Sequence, residues 1–330
     1  MSTAAARQVA SPFITGVADA ADAALRRLAR TTDRLIALEA DPPRDPASAF
    51  HHVVGLVHDF CAALIDAEAA GLTREELRNA TRVARQLHGV SPFVRRLQEW
   101  PRGYPGDFET IEWLCRSANR GTPGTLGFAL ETYAVTSAVA QQHRNKVAFQ
   151  AECVRDTLAA KPDGRVLSLA CGSSPDIRSI LPFIPRTGSF VLCDSDPDAL
   201  EFSRRALEPL ASQCRFVRGM VPRVLGRVTQ SGPFDLVFAG GLFDYLPDRL
   251  AIRTLAIAHR TLLARGGRLV FTNICSGNPF RVWLEYLANW TLIERSEADI
   301  RRLCTDAGLA PPHIEREPTG LAMLVTAIRH

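Results

Sequence analysis

Arg165-Val-Leu-Ser-Leu-Ala-Cys-Gly-Ser-Ser-Pro-Asp176, followed by Phe190-Val-Leu-Cys-Asp-Ser-Asp-Pro-Asp-Ala-Leu200, decides how this chain folds. An apolar run enters a turn of small residues and a helix start, and a second apolar run stops on an acid. Small side chains at 170–174 let backbone approach a ligand closely. Asp194, at the end of the second run, can accept hydrogen bonds from both hydroxyls of a ribose. Together the two features describe a crevice suited to a nucleoside. Gly172 is the only glycine in the turn, where nucleotide-binding turns usually carry several, so the segments further along the chain carry the decision.

Outward from this pair, short apolar strands alternate with helical stretches. Strands are expected at 165–171, 190–194, 215–219, 235–239 and 268–273, with a closing hairpin at 314–319 and 321–328. That alternation implies a parallel sheet covered on both faces. Before residue 126 the pattern is helical. Ile14, Val17, Ala21, Leu25, Leu28 and Leu35 recur at helical spacing until Pro42-Pro43. A second helix is expected over 48–70, a third after the Thr73-Arg-Glu-Glu capping box, and one long helix over 126–160.

Two later segments, Gly232-Pro-Phe-Asp-Leu-Val-Phe-Ala-Gly-Gly-Leu-Phe-Asp-Tyr-Leu-Pro-Asp248 and Leu263-Ala-Arg-Gly-Gly-Arg-Leu-Val-Phe-Thr-Asn-Ile274, complete the series. With these in order, the chain resembles the class I S-adenosylmethionine-dependent methyltransferases from about Val147 to His330. The resemblance implies an α/β fold: a Rossmann-like seven-stranded methyltransferase sheet at 126–330 and an N-terminal all-helical cap or substrate-binding domain at 1–125. It implies S-adenosyl-L-methionine as cofactor, with Ala170, Cys171 and Gly172 as its loop and Asp194 and Ser195 at the ribose. Met220 and Val221 become the adenine wall, and Ala239 and Gly240, at the end of the strand before the Asp-Tyr loop, complete the cofactor-binding set. Ser168 stands where an aspartate is common in that family, Ala170 and Ser174 where glycines are, and Met220 where an acid often meets the adenine amine. Pro101-Arg-Gly-Tyr-Pro-Gly-Asp-Phe-Glu-Thr-Ile111, Gly241-Leu-Phe-Asp-Tyr-Leu246 and 278–295 resemble a bacterial group. It is named for biosynthesis of the extracellular factor 3-hydroxypalmitic acid methyl ester.

Candidate acceptor residues follow from position. Asp244 and Tyr245 come after the fourth strand, at the sheet edge where ligands of such folds bind, and are the expected catalytic pair; the competing reading is a helix cap. Arg102, Tyr104 and Asp107 lie in a Gly/Pro-rich loop. They could meet an acceptor or could simply pin a helix start. His143 and Arg144 precede the first strand, and Asn278, Arg281, Glu285 and Tyr286 share a helical segment in which Arg281-Glu285 could equally be a surface pair. A carboxylate or thioether acceptor needs no base, whereas an alcohol or amine gives Asp244, Tyr245 or His143 more to do. The expected reaction is O-methylation of a small carboxylate-bearing metabolite such as a hydroxy fatty acid. S- or N-methylation of an amino-acid-like metabolite such as methionine, or a catalytically silent cofactor-binding protein, are the alternatives.

Composition sets the outer bounds. At 330 residues with 46% apolar content, the chain can bury a large core without staples. Its net charge of +4 comes from scattered arginines, so no nucleic-acid partner is expected. Eight cysteines without a Cys-x-x-Cys pair read as reduced, packed thiols, and His51, His52, His58 and His143 lack metal-site spacing, so no metal is expected. Met1–Ser11 lacks the anatomy of a secretory signal, and no apolar run was expected to span a bilayer, which points to a cytoplasmic protein. The apolar first helix suits pairing, and a homodimer is the expected assembly.

Overall fold

Why the strands are buried on both sides is visible in their alternation. Val166, Phe190, Leu192, Leu236, Phe238 and Val270 enter one apolar cluster, while Leu167, Leu169, Val191, Val237, Leu269 and Phe271 enter another. In this computed structural model, which describes residues 12–330 and side chains from residue 19, the strands are β1 (Arg165–Leu169), β2 (Ser189–Asp194), β3 (Cys214–Arg218), β4 (Phe234–Ala239), β5 (Leu263–Ile274), β6 (His313–Arg316) and β7 (Ala322–Ile328). They form one sheet in the order β3-β2-β1-β4-β5-β7-β6. β1 to β5 run parallel, and β7 is antiparallel to both β5 and β6. This is the expected Rossmann-like seven-stranded sheet. The strand order switches from one side of the sheet to the other between β1 and β4, and the carboxyl ends of β1, β2 and β4 frame a crevice there.

The helices are α1 (Pro12–Ala40), α2 (Pro46–Ala69), α3 (Arg74–Ala80), α4 (Arg82–His88), α5 (Pro92–Glu99), α6 (Phe108–Arg116), α7 (Leu126–Thr136), α8 (Ala138–Ala160), α9 (Pro175–Ser179), α10 (Pro197–Ala206), α11 (Arg223–Val228), α12 (Asp248–Ile257) and α13 (Glu297–Asp306). Ile14 and Val17 of the first apolar stripe lie outside the described side chains, as does Met1–Ser11. Thr73 closes the expected capping box with Glu76. The helix expected over 126–160 is instead two helices, which meet at the extended backbone of Ser137. The fifth strand, expected from residue 268, begins earlier, at Leu263, and takes in Gly266 and Gly267. There the register shifts between Phe234/Leu263 and Leu236/Arg268.

The chain divides into two units, and not at residue 125. A helical unit takes residues up to Pro101 with Asn119–Ala134 and Pro279–Thr291; the sheet-bearing unit takes Arg102–Ala118, Val135–Asn278 and Leu292–His330. The loop at 102–107 and α6 therefore belong with the sheet, because their polar side chains pair with the loops after β1 and β2.

In the helical unit, α2 buries Val53, Leu56, Val57, Phe60 and Leu64. Length and apolar composition alone would let α2 cross a bilayer, against the expectation that no run would. Phe60, His88 and Trp283 meet in sequence, the first pair edge to face and the second tilted, with centroids 5.8 and 6.4 Å apart. The His88 Nδ1–H donates to the Ala84 carbonyl at 2.8 Å, while Nε2 is buried without a partner. Burial pushes its imidazole down from 6.5 to about 4. Between those values the unfolded chain binds a proton that the folded chain does not, so stability falls as pH drops from about 6.5 to about 4, by about 3 kcal/mol at the low end. Melting curves of His88→Phe against wild type should show a shallower acid slope in the variant; parallel slopes would contradict this.

Candidate functional site

Within the sheet-bearing unit, a cavity of about 370 Å³ opens at the carboxyl ends of β1, β2 and β4. That volume lies in the range of small-molecule sites, about 300–1,000 Å³. Ala170, Cys171, Gly172, Asp194, Ser195, Gly240, Asp244, Tyr245, Tyr104 and His143, all named as candidates from the sequence, line it. Lys146, Gln150, Phe108, Ser168 and Asp176 line it too, and those were missed.

The loop after β1 turns by left-handed backbone at alternate residues: Ala170 (φ 54°), Gly172 (φ 54°) and Ser174 (φ 52°). Two of the three are not glycine, so the loop holds strain of about 1 kcal/mol at each. Its amides are largely spent within the protein. The Cys171 N–H donates to the Cys193 carbonyl at 2.9 Å and the Ser174 N–H to the Cys171 carbonyl at 2.8 Å. The Gly172 N–H donates to Asp194 Oδ2 at 2.8 Å, and the Ser203 hydroxyl to the Gly172 carbonyl at 2.8 Å. The Cys171 N–H thereby extends the β1–β2 pairing.

Asp194 ends β2 with Oδ2 on the Gly172 amide and Oδ1 on the Asp196 amide at 2.9 Å. Each oxygen keeps a second lone pair for a ligand hydroxyl. Burial raises its carboxyl above the usual range, despite those amides. Two residues on, Asp196 caps α10 and takes a bidentate bond from Arg102, at 2.6 and 2.7 Å, and the Tyr104 hydroxyl at 2.8 Å. Burial would raise the Asp196 carboxyl; the Arg102 guanidinium and Tyr104 hydroxyl outweigh it and hold the group at about 2. Arg102 also reaches Asp198 at 2.6 Å and lies 4.9 Å from the Phe108 ring centroid. Asp107 caps α6 by accepting the Glu109 and Thr110 amides, so it holds a helix start.

Across the cavity, Asp244 Oδ2 meets the Lys146 ammonium at 2.9 Å and Oδ1 accepts the Ile274 N–H at 2.7 Å. Their side chains are 4% and 3% exposed for lysine and aspartate. The loop bearing Asp244 and Tyr245 is held from behind by Arg295. It donates to the Phe243 and Leu246 carbonyls, to Asn273 Oδ1 and to Asp248. Gly240 leaves room for Gln150: a Cβ there would stand 2.8 Å from Gln150 Oε1. On α8, His143 is buried and burial, aided by Lys146 and Arg144, pushes its imidazole well below the usual range.

The other candidates lie elsewhere. Met220 is 64% exposed, and neither it nor Val221 lines the cavity; Ala239 is buried in the sheet core. Arg144 donates to the Leu114 and Val135 carbonyls and to Gln141. Asn278, buried in the sheet-bearing unit, is not among the lining residues. Arg281 pairs with Glu68 and Glu285, and the Tyr286 hydroxyl donates to Glu68 at 2.8 Å, all within the helical unit.

The lining holds three carboxylates, Asp176, Asp194 and Asp244, against one ammonium, Lys146. That excess of negative charge, beside a carboxylate open to a diol, suits a cationic nucleoside. No protein-family model matches the chain, and no curated protein does. Among solved structures it is similar to a possible exported protein from Bordetella parapertussis, at 19% identity and a TM-score of 0.59, over 97% of this chain and 99% of that one. It is also similar to the pyocyanin biosynthetic protein PhzM, at 15% identity and a TM-score of 0.45, over 77% and 72%. A third is geranyl diphosphate C-methyltransferase from Streptomyces coelicolor, at 16% identity and a TM-score of 0.43, over 58% and 82%. Likeness at such identity speaks to the fold.

Proposed function

We propose that the chain is an S-adenosylmethionine-dependent methyltransferase acting on a small molecule. The observation that supports it best is the acidic cavity at the strand ends with Asp194 closing β2. The bound cofactor would supply an activated methyl group on a sulfonium. The protein then needs to orient two ligands and exclude water. Asp194 holds the ribose hydroxyls; Ala170, Gly172 and Gly240 keep side chains out of the way; Phe108 and Tyr104 cover one wall.

The acceptor approaches from the Lys146, Asp244, Tyr245 and His143 side. The arginines among the acceptor candidates, Arg102, Arg144 and Arg281, do not line the cavity, and Lys146 is already matched by Asp244. This balance favours a hydroxyl, thiol or amine nucleophile, with Asp244 positioned to accept a hydrogen bond from it. Calorimetric titration with S-adenosylhomocysteine is expected to give micromolar binding. Asp194→Ala should weaken it by about tenfold or more, since charge-assisted bonds to two hydroxyls are lost. Absence of binding to the wild-type protein would overturn the reading.

A further inference from the structure

On the inward face of α8, one amide of the cavity lining is unspent. Gln150 is 5% exposed and lines the cavity, and among the described residues nothing hydrogen-bonds its side chain. A buried amide unpaired at both ends is costly, and a ligand that pairs it removes that cost. Its polar edge, not its flank, is turned to the end of β4: a Cβ on Gly240 would stand 2.8 Å from Oε1 and 2.9 Å from Nε2 but 3.2 Å from Cδ. Any side chain at 240 would cover that edge. Gly240 is not among the residues with left-handed backbone, so conformation does not call for glycine there; what it provides is a bare amide edge.

Gln150 sits on the acceptor side of the cavity. Lys146 stands one turn before it on α8 and pairs with Asp244, beyond the end of β4. Asp194 closes β2, two strands away from β4 at about 4.8 Å each. With the Lys146 charge spent on Asp244, an anionic group would meet no unmatched cation here. Two parallel bonds to an amide edge need a donor and an acceptor side by side, which a lone hydroxyl or thiol does not supply. We propose that the methyl acceptor carries an uncharged carboxamide or lactam, whose N–H donates to Gln150 Oε1 and whose carbonyl accepts from Gln150 Nε2, with its nucleophile on the Asp244 side. The inference rests on the methyltransferase reading above and adds to it the class of acceptor.

The test uses protein saturated with S-adenosylhomocysteine and two probes, 3-hydroxybenzamide and 3-methylphenol, which share a phenol and differ in the amide. In calorimetry, wild type should prefer the benzamide by about tenfold or more. Gln150→Met keeps the length of the side chain and removes both polar ends. It should bring the two probes within about twofold of each other and leave the affinity for S-adenosylhomocysteine within about twofold of wild type. Gln150→Glu keeps an acceptor oxygen without the N–H donor and should lose the preference as well. Because the protein spends nothing on this amide, Gln150→Met should melt no more than about 2 °C below wild type; a larger fall would show the amide to be bonded within the protein and overturn the inference. No preference for the benzamide on wild type, whether both probes bind or neither does, or a preference that survives in Gln150→Met, would overturn the amide subsite while leaving the cofactor reading intact. Failure of S-adenosylhomocysteine to bind wild type would overturn both.

Discussion

Lys146→Met is expected to lose about 3–5 kcal/mol of stability, because it leaves the Asp244 carboxylate buried without its cation. The pair is nearly sealed from solvent, and the Ile274 amide is the other hydrogen-bond donor to that carboxylate. Adding Asp244→Asn should restore part of the loss, since an amide oxygen still accepts the Ile274 N–H and no charge is stranded. Urea unfolding of the two variants and wild type reads this directly. A single-variant loss below about 1 kcal/mol would mean that water reaches the pair and that the cavity is wetter than its geometry indicates. Methyl transfer should fall in both variants, because Asp244 faces the acceptor side.

Arg295 carries the second large effect. Its guanidinium spans two carbonyls, an amide oxygen and Asp248, and it is buried although Asp248 is half exposed. Arg295→Met leaves the Phe243 and Leu246 carbonyls and Asn273 Oδ1 without a donor, for an expected loss of about 3–5 kcal/mol. Lysine cannot reproduce a planar fork that reaches four acceptors, so Arg295→Lys should recover less than half of it. Because the bonded carbonyls flank Asp244 and Tyr245, ligand affinity should fall along with stability. A lysine variant as stable as wild type would show that charge, not the fork, holds the loop.

What was legible in the sequence was what a local pattern encodes. Strand alternation places β1 to β5 within a few residues, Thr73 and Glu76 announce their helix start, and Asp194 is marked by ending an apolar run. What was not legible depends on pairing across long stretches of chain. Arg102 finds Asp196, and Arg281 finds Glu68, with no periodicity linking either pair. The spent amides of the β1 loop could not be foreseen from small residues alone, since the same residues serve a loop that faces inward. Lys146 had one signal: it is one of only two lysines among 39 basic Lys and Arg residues, and it sits three residues from His143 on one helical face. Asp176 was hidden by looking like an ordinary first-turn acid of a short helix.

The helical unit draws on three separate stretches of chain, the last of them Pro279–Thr291, which brings Trp283 to His88 and Tyr133. On a ribosome this ordering matters. Residues up to Ala134 emerge first, yet their core lacks its largest side chain until Trp283 has been added, after all five parallel strands have been made. At about 5–20 residues per second, the wait is roughly seven to thirty seconds. The amino-terminal helices of this chain thus cannot finish folding first, and during that interval their unfilled apolar face is the part of the nascent protein most in need of a chaperone.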